Sequence, residues 1–99
     1  MWRDNRNGKK SSKRRNKFEI WSEILENCLK TPQTQSWLCR NLQLKTSYFK
    51  ESIDFLIERE LVIERKTFEK VEYLTSKKGE ETLIQYYILI NNFFKLNKD

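Results

Sequence analysis

The spacing of apolar residues changes period twice along this chain, and that order of periods constrains the fold more than any other feature. Phe18, Ile20, Trp21, Ile24, Leu25, Cys28 and Leu29 recur at the three- and four-residue intervals of one helix face, which predicts a first helix from Lys17 to about Lys30. Thr31 and Pro32 break it, and Gln33 or Thr34 can open a short second helix carrying Trp37, Leu38 and Leu42 and running to about Asn41. After Leu44 and Lys45, Thr46 or Ser47 offers an N-cap for a third helix whose face is Phe49, Ile53, Leu56 and Ile57, ending near Arg59. The period then drops to two. Leu61, Val62 and Ile63, the polar stretch from Glu64 to Lys70, and Val71, Tyr73 and Thr75 read as a β-hairpin with a basic tip. From Thr75 or Ser76 helical spacing returns in a segment so rich in Leu, Ile, Tyr and Phe that it is too apolar for a solitary surface helix. Only two Gly and one Pro in 99 residues leave little material for tight turns, so the expected class is mostly α with one small β-hairpin.

Charge is distributed unevenly. Residues 1–17 hold eight Lys and Arg against Asp4 alone, whereas the rest of the chain sets twelve cations against thirteen acids. The first sixteen residues are polar and basic, with too little apolar surface to offset the entropy of ordering, and read as a disordered arm. The folded part is therefore almost neutral, and it can bind a polyanion only if its own cations gather on one face. With 99 residues the chain suits one compact domain, 17–75, followed by a terminal helix, 76–99. No apolar run is long enough to span a membrane and no apolar leader follows the N-terminal charges, so a soluble, cytoplasmic protein is expected. Two Cys outside any CxxC pattern and no His leave no metal set, and Cys28 and Cys39 read as buried, reduced residues. No cofactor is implied. Without His or a Gly-rich phosphate loop, catalysis is not expected either.

Helix, helix, helix, hairpin, helix is the order of a winged helix-turn-helix, whose third helix enters the major groove of DNA while the wing touches the flanking backbone. Residues 17 to about 85 resemble the archaeal winged-helix DNA-binding proteins, in particular the small dimeric chromatin-associated type of Sulfolobus-like archaea. The matching segments are NKFEIWSEILENC, LKTSYFKESIDFLIERELV and YLTSKKGEETL. The resemblance implies duplex-DNA binding with modest sequence preference, dimerisation through the C-terminal helix, association with the nucleoid, and an architectural or transcriptional role. It also implies a Ser-Tyr pair where this chain has Lys45 and Thr46, and a Gly where it has Glu60, so the groove contacts and the entry into the wing are expected to differ.

Residues themselves supply the candidates. Lys45, Thr46, Ser47, Tyr48 and Lys50 surround the N-terminal half of the third helix, opposite its apolar stripe, where they can reach phosphates or base edges. That half lacks Arg, Asn and Gln, the commonest bidentate base readers, and Glu51 repels phosphate, so weak sequence discrimination is expected. Arg65, Lys66 and Lys70 would place the wing on the backbone, and Lys13, Arg14 and Arg15 of the arm would add nonspecific contact. On the terminal helix, Leu83, Tyr87, Ile90 and Phe94 form a coiled-coil-like seam, with Tyr86, Leu89 and Phe93 on a neighbouring strip. One strip packs on the domain and the other needs a partner, most simply a second copy. A rival reading is a winged helix that docks a protein through Trp37, Tyr48 and the apolar last helix, with nucleic acid meeting the arm alone. Double-stranded RNA is a further alternative, although its narrow major groove excludes a recognition helix.

Overall fold

The computed structural model describes residues 15–98, with side chains to Phe93. Helices α1 (Lys17–Asn27), α2 (Gln35–Leu42) and α3 (Thr46–Glu58) precede the hairpin β2 (Val62–Lys66) and β3 (Val71–Thr75), and α4 (Lys77–Lys98) closes the chain. A two-residue strand, β1 (Gln33–Thr34), pairs antiparallel with β3, giving the sheet order β1-β3-β2. The sequence reading missed β1 because two polar residues carry no alternation to detect.

Each element begins and ends for local reasons. Asn16 opens α1 with a capping box: its side chain accepts from the Glu19 N–H at 2.8 Å, and the Glu19 carboxylate accepts from the Asn16 N–H at 3.0 Å. The arm boundary expected after Asn16 therefore moves. Arg15 and Asn16 belong to the folded unit, and the remaining arm, with Lys13 and Arg14, lies outside the described residues. The first helix stops at Asn27 rather than near Lys30, because its closing carbonyls are held by β3: Thr75 donates its hydroxyl to Leu25 at 2.7 Å and its N–H to Cys28 at 3.0 Å. Thr34 caps α2, accepting from the Trp37 N–H at 3.2 Å.

A left-handed residue links α3 to the sheet. Glu60 sits at φ 63°, with its N–H on the Ile57 carbonyl and the Leu61 N–H on the Leu56 carbonyl, both at 2.9 Å, and with Leu56 and Leu61 buried beside them. This is a Schellman ending, which favours glycine; a side chain there costs about 1 kcal/mol. The same corner receives α4. Ser76 donates its N–H to Leu61 at 3.0 Å and its hydroxyl to Glu60 at 2.7 Å, and accepts from the Gly79 N–H at 3.0 Å as the N-cap of α4. A Cβ on Gly79 would lie 2.1 Å from the Leu61 carbonyl oxygen, so only glycine fits.

The core lies where α1, α2 and α3 meet the sheet, with Ile24, Cys28, Leu38 and Phe49 fully enclosed. Phe49 meets Tyr73 edge to face at 5.6 Å and so ties α3 to the wing strand. Burial pushes the Cys28 thiol up to about 12, keeping it protonated, while Cys39 is only partly covered. Leu83, expected on the dimer seam, instead joins this core at 4% exposure. The line through Leu83 is thus the one that packs on the domain. Tyr86 and Ile90 are half-buried on the same side of α4, and Ile84, Ile88, Leu89 and Phe93 are the exposed residues. Tyr87 is exposed but lies beside α1, where burial and then the Glu26 carboxylate push its hydroxyl up to about 12. The Phe94 side chain lies outside the described residues.

Candidate nucleic-acid interface

The outer face of α3 is set by its core residues. Because Phe49, Ser52, Ile53 and Leu56 turn inward, Lys45, Thr46, Ser47 and Lys50 are exposed around the first turns, with Tyr48 at 53% exposure on the edge toward α1. The expected cap at Thr46 or Ser47 is not used: Lys45 is the N-cap and makes no side-chain capping bond. By contrast Asn16, Thr34 and Ser76 cap α1, α2 and α4. Without a side-chain cap, the first amide N–H groups of α3 remain open to water or to an anion. Neither Lys45 nor Lys50 is ion-paired among the described residues. Glu51 directly follows Lys50, and Asp54 and Glu58 lie farther along, so the start of α3 carries two lysines against one acid.

The wing differs from its expected form. Residues 64–72 contain three cations and three acids, and the strand register sets Glu72 directly across from Arg65. Glu72 pairs with both Lys70, at 3.1 Å, and Arg65, at 3.6 Å. Of the three cations assigned to a basic tip, only Lys66 has no acid partner among the described residues. The tip presents an aromatic ring instead. Thr67 and Lys70 close the turn, the Thr67 N–H on the Lys70 carbonyl at 2.8 Å and the Lys70 N–H on the Thr67 hydroxyl at 3.2 Å, and Phe68 between them is wholly exposed. The sequence reading passed over Phe68, although an aromatic residue within a polar hairpin loop was a visible signal.

Arg15, counted with the arm, is engaged within the fold. Its guanidinium pairs with Glu23 on α1 and donates to the Leu42 carbonyl at the end of α2. Burial raises the Glu23 carboxyl, and Arg15 opposes that rise. Next to Arg15, Trp21 of α1 stacks on Phe55 of α3 with ring centroids 3.9 Å apart and planes 4° from parallel, and the Arg59 guanidinium lies 3.7 Å from the centre of the same Phe55 ring. These contacts fix the angle at which α3 is presented. No group of metal-ligating side chains occurs among the described residues, and none of their helices is long and apolar enough to cross a membrane.

Three helices, an uncapped and exposed third helix, and a twisted hairpin pinned to it define a winged helix-turn-helix domain. The chain belongs to the winged helix-turn-helix family, whose model matches residues 14–93. Among solved structures it is similar to the transcriptional regulator BldR from Sulfolobus solfataricus, at TM-score 0.70 and 18% identity over 77% of this chain. It is also similar to a point mutant of ZitR from Lactococcus lactis, at TM-score 0.63 and 12% identity over 80% of this chain. The alignments cover 57% and 56% of those two chains. No curated protein matches the sequence significantly.

Proposed function

We propose that this protein binds double-stranded DNA as a transcriptional regulator or architectural protein, with the N-terminal half of α3 in the major groove. The observation that carries this reading is the exposed, uncapped start of α3, where Lys45 and Lys50 stand without acid partners beside Thr46, Ser47 and Tyr48. Such a set suits phosphate and sugar contacts more than base readout, so weak sequence discrimination follows. Lys66 and Phe68 would meet the adjacent backbone and minor groove, and Lys13 and Arg14 would add contacts that release counterions. The likeness to BldR, a transcriptional regulator, supports a regulatory role. Action is by binding alone, in the cytoplasm and at the nucleoid, with the archaeal affiliation that the sequence resemblance implies.

Dimerisation is part of the proposal. Ile84 and Ile88 lie on one flank of α4, and Leu89 and Phe93 on the other, on either side of the line that docks on α1. A helix apolar on its core side and both flanks is suited to burial, and a second copy would cover it most economically. Two joined domains would bring two third helices to one duplex.

The test is a titration of duplex DNA with the full chain and with a chain lacking residues 1–14, at several salt concentrations. Persistent binding by the shorter chain, with a shallower salt dependence, supports reading by the domain. Loss of all binding with residues 1–14 overturns it in favour of an interaction module.

A further inference from the structure

The wing tip carries the most exposed apolar side chain of the described residues. Phe68 is 101% exposed, whereas the other exposed aromatic rings range from 43% to 62%. Phe18 leans edge-on against Trp21 at 5.3 Å and Tyr87 meets Tyr86 at 5.8 Å, but Phe68 meets no ring and no cation among the described residues. The turn holds it there. The Thr67 N–H donates to the Lys70 carbonyl at 2.8 Å, and the Thr67 hydroxyl donates to the same carbonyl at 3.1 Å and accepts from the Lys70 N–H at 3.2 Å. A turn closed in this way prearranges the ring outside the sheet, so little ordering is lost when another molecule covers it.

The neighbours of Phe68 indicate what covers it. Glu72 holds Lys70 at 3.1 Å and Arg65 at 3.6 Å, so the tip is not mainly a phosphate clamp, while Lys66 stands beside it without an acid partner among the described residues. Glu69, next to Phe68, keeps the turn itself off the phosphates and favours entry of the ring alone. Reach agrees. Tyr73 of the same hairpin meets Phe49 of α3 at 5.6 Å. Phe68 precedes Tyr73 by five residues, at most about 17 Å of strand and turn, which is about half of a B-DNA helical turn, the step from a major groove to the next minor groove.

We propose that Phe68 is a wedge that enters the minor groove beside α3, inserts between two base pairs and kinks the duplex toward the major groove. The proposal rests on the α3 reading of DNA given above and adds a function to it: the protein bends the duplex that it occupies. An inserted ring disrupts the stacking of one base step, and its own contact with the bases offsets that cost. The net effect on affinity is therefore small, whereas the effect on duplex shape is a kink of about 20–90°. Pyrimidine–purine steps such as TA unstack most easily, so the wedge selects them without a hydrogen bond to any base.

The experiment uses the full chain and a duplex with a single TA step, labelled at its ends with donor and acceptor dyes and carrying 2-aminopurine at that step, where emission rises on unstacking. At saturation the parent should increase energy transfer between the ends and raise 2-aminopurine emission about twofold or more. Phe68→Ala should bind about two- to threefold more weakly, with the same salt slope because the ring neutralises no phosphate, and should leave both signals near those of the free duplex. Phe68→Leu, still an apolar wedge, should retain most of the bend. The parent should prefer the TA duplex to one with AA in its place by about threefold, and Phe68→Ala should show no preference. A saturated duplex with neither signal changed overturns the wedge, as does an equal bend with Phe68→Ala. A changed oligomeric state of free Phe68→Ala in the ultracentrifuge overturns it too, because a second copy would then cover the ring. Lys45→Ala/Lys50→Ala separates the two failures. If that variant binds as tightly as the parent, the α3 reading fails and the wedge with it; if it binds weakly while the parent leaves the duplex straight, the α3 reading stands and the wedge alone fails.

Discussion

The third helix and the wing read alike in the sequence, each as an exposed segment with two or three cations, but the fold treats their charges in opposite ways. On α3 the lysines precede the acids along the helix, so Lys45 and Lys50 remain unpaired at one end. In the wing, antiparallel pairing sets Glu72 across from Arg65, Lys70 meets the same carboxylate from two residues away in the chain, and the hairpin is nearly neutral. A cation count along a segment is therefore a poor guide to its field; cross-strand register decides which charges remain available.

This contrast can be broken in order of expected effect. Lys45→Ala/Lys50→Ala should lower duplex affinity about 10- to 100-fold and reduce the log-log salt slope by about 1.8, as measured by fluorescence anisotropy at several salt concentrations. An unchanged slope would show that α3 does not carry the contact. Glu72→Gln should act in the other direction by freeing Arg65 and Lys70. Affinity should rise several-fold with a slope steeper by about 1, while Arg65→Gln alone changes little because its charge is already met. Glu60→Gly, at the joint between the two regions, should raise stability by about 0.5–1 kcal/mol in denaturant unfolding, since it removes the left-handed strain of a side chain, and should leave DNA affinity unaltered. Phe68→Ala is the smallest. Being wholly exposed, it should not move the melting temperature, and it should weaken DNA binding only about two- to threefold. A larger loss would make the wing tip, not α3, the main anchor.

Much of the fold was legible because its elements are governed by local rules. Apolar spacing located all four helices and both hairpin strands to within a few residues, and Thr34 was identifiable as a cap. What escaped depends on contacts between distant residues. The short pairing of Gln33 and Thr34 with β3 has no local pattern, and α1 ends early because Thr75, far along the chain, holds its carbonyls. Which apolar line of α4 packs on the domain was left open for the same reason: periodicity finds the lines, and only packing against α1 places Leu83 in the core while Tyr87 and Phe93 stay exposed. The candidate site was legible as a set of residue types on α3. The way that face is presented was not, because Trp21 and Phe55 meet only after α1 and α3 pack together.

Gly79 has a consequence that extends beyond its own turn. With no side chain there, the first turn of α4 settles directly on the Leu61 carbonyl, and Ser76 ties that turn to the end of α3. The start of the helix that would join two copies is thus tied to the end of the helix that would enter the groove. In a symmetric pair the reach from one third helix to the other would depend on that joint, and with it the number of base pairs between half-sites. A single added methyl group at position 79 would pry that joint open and change the calliper setting that the proposed dimer would apply to DNA.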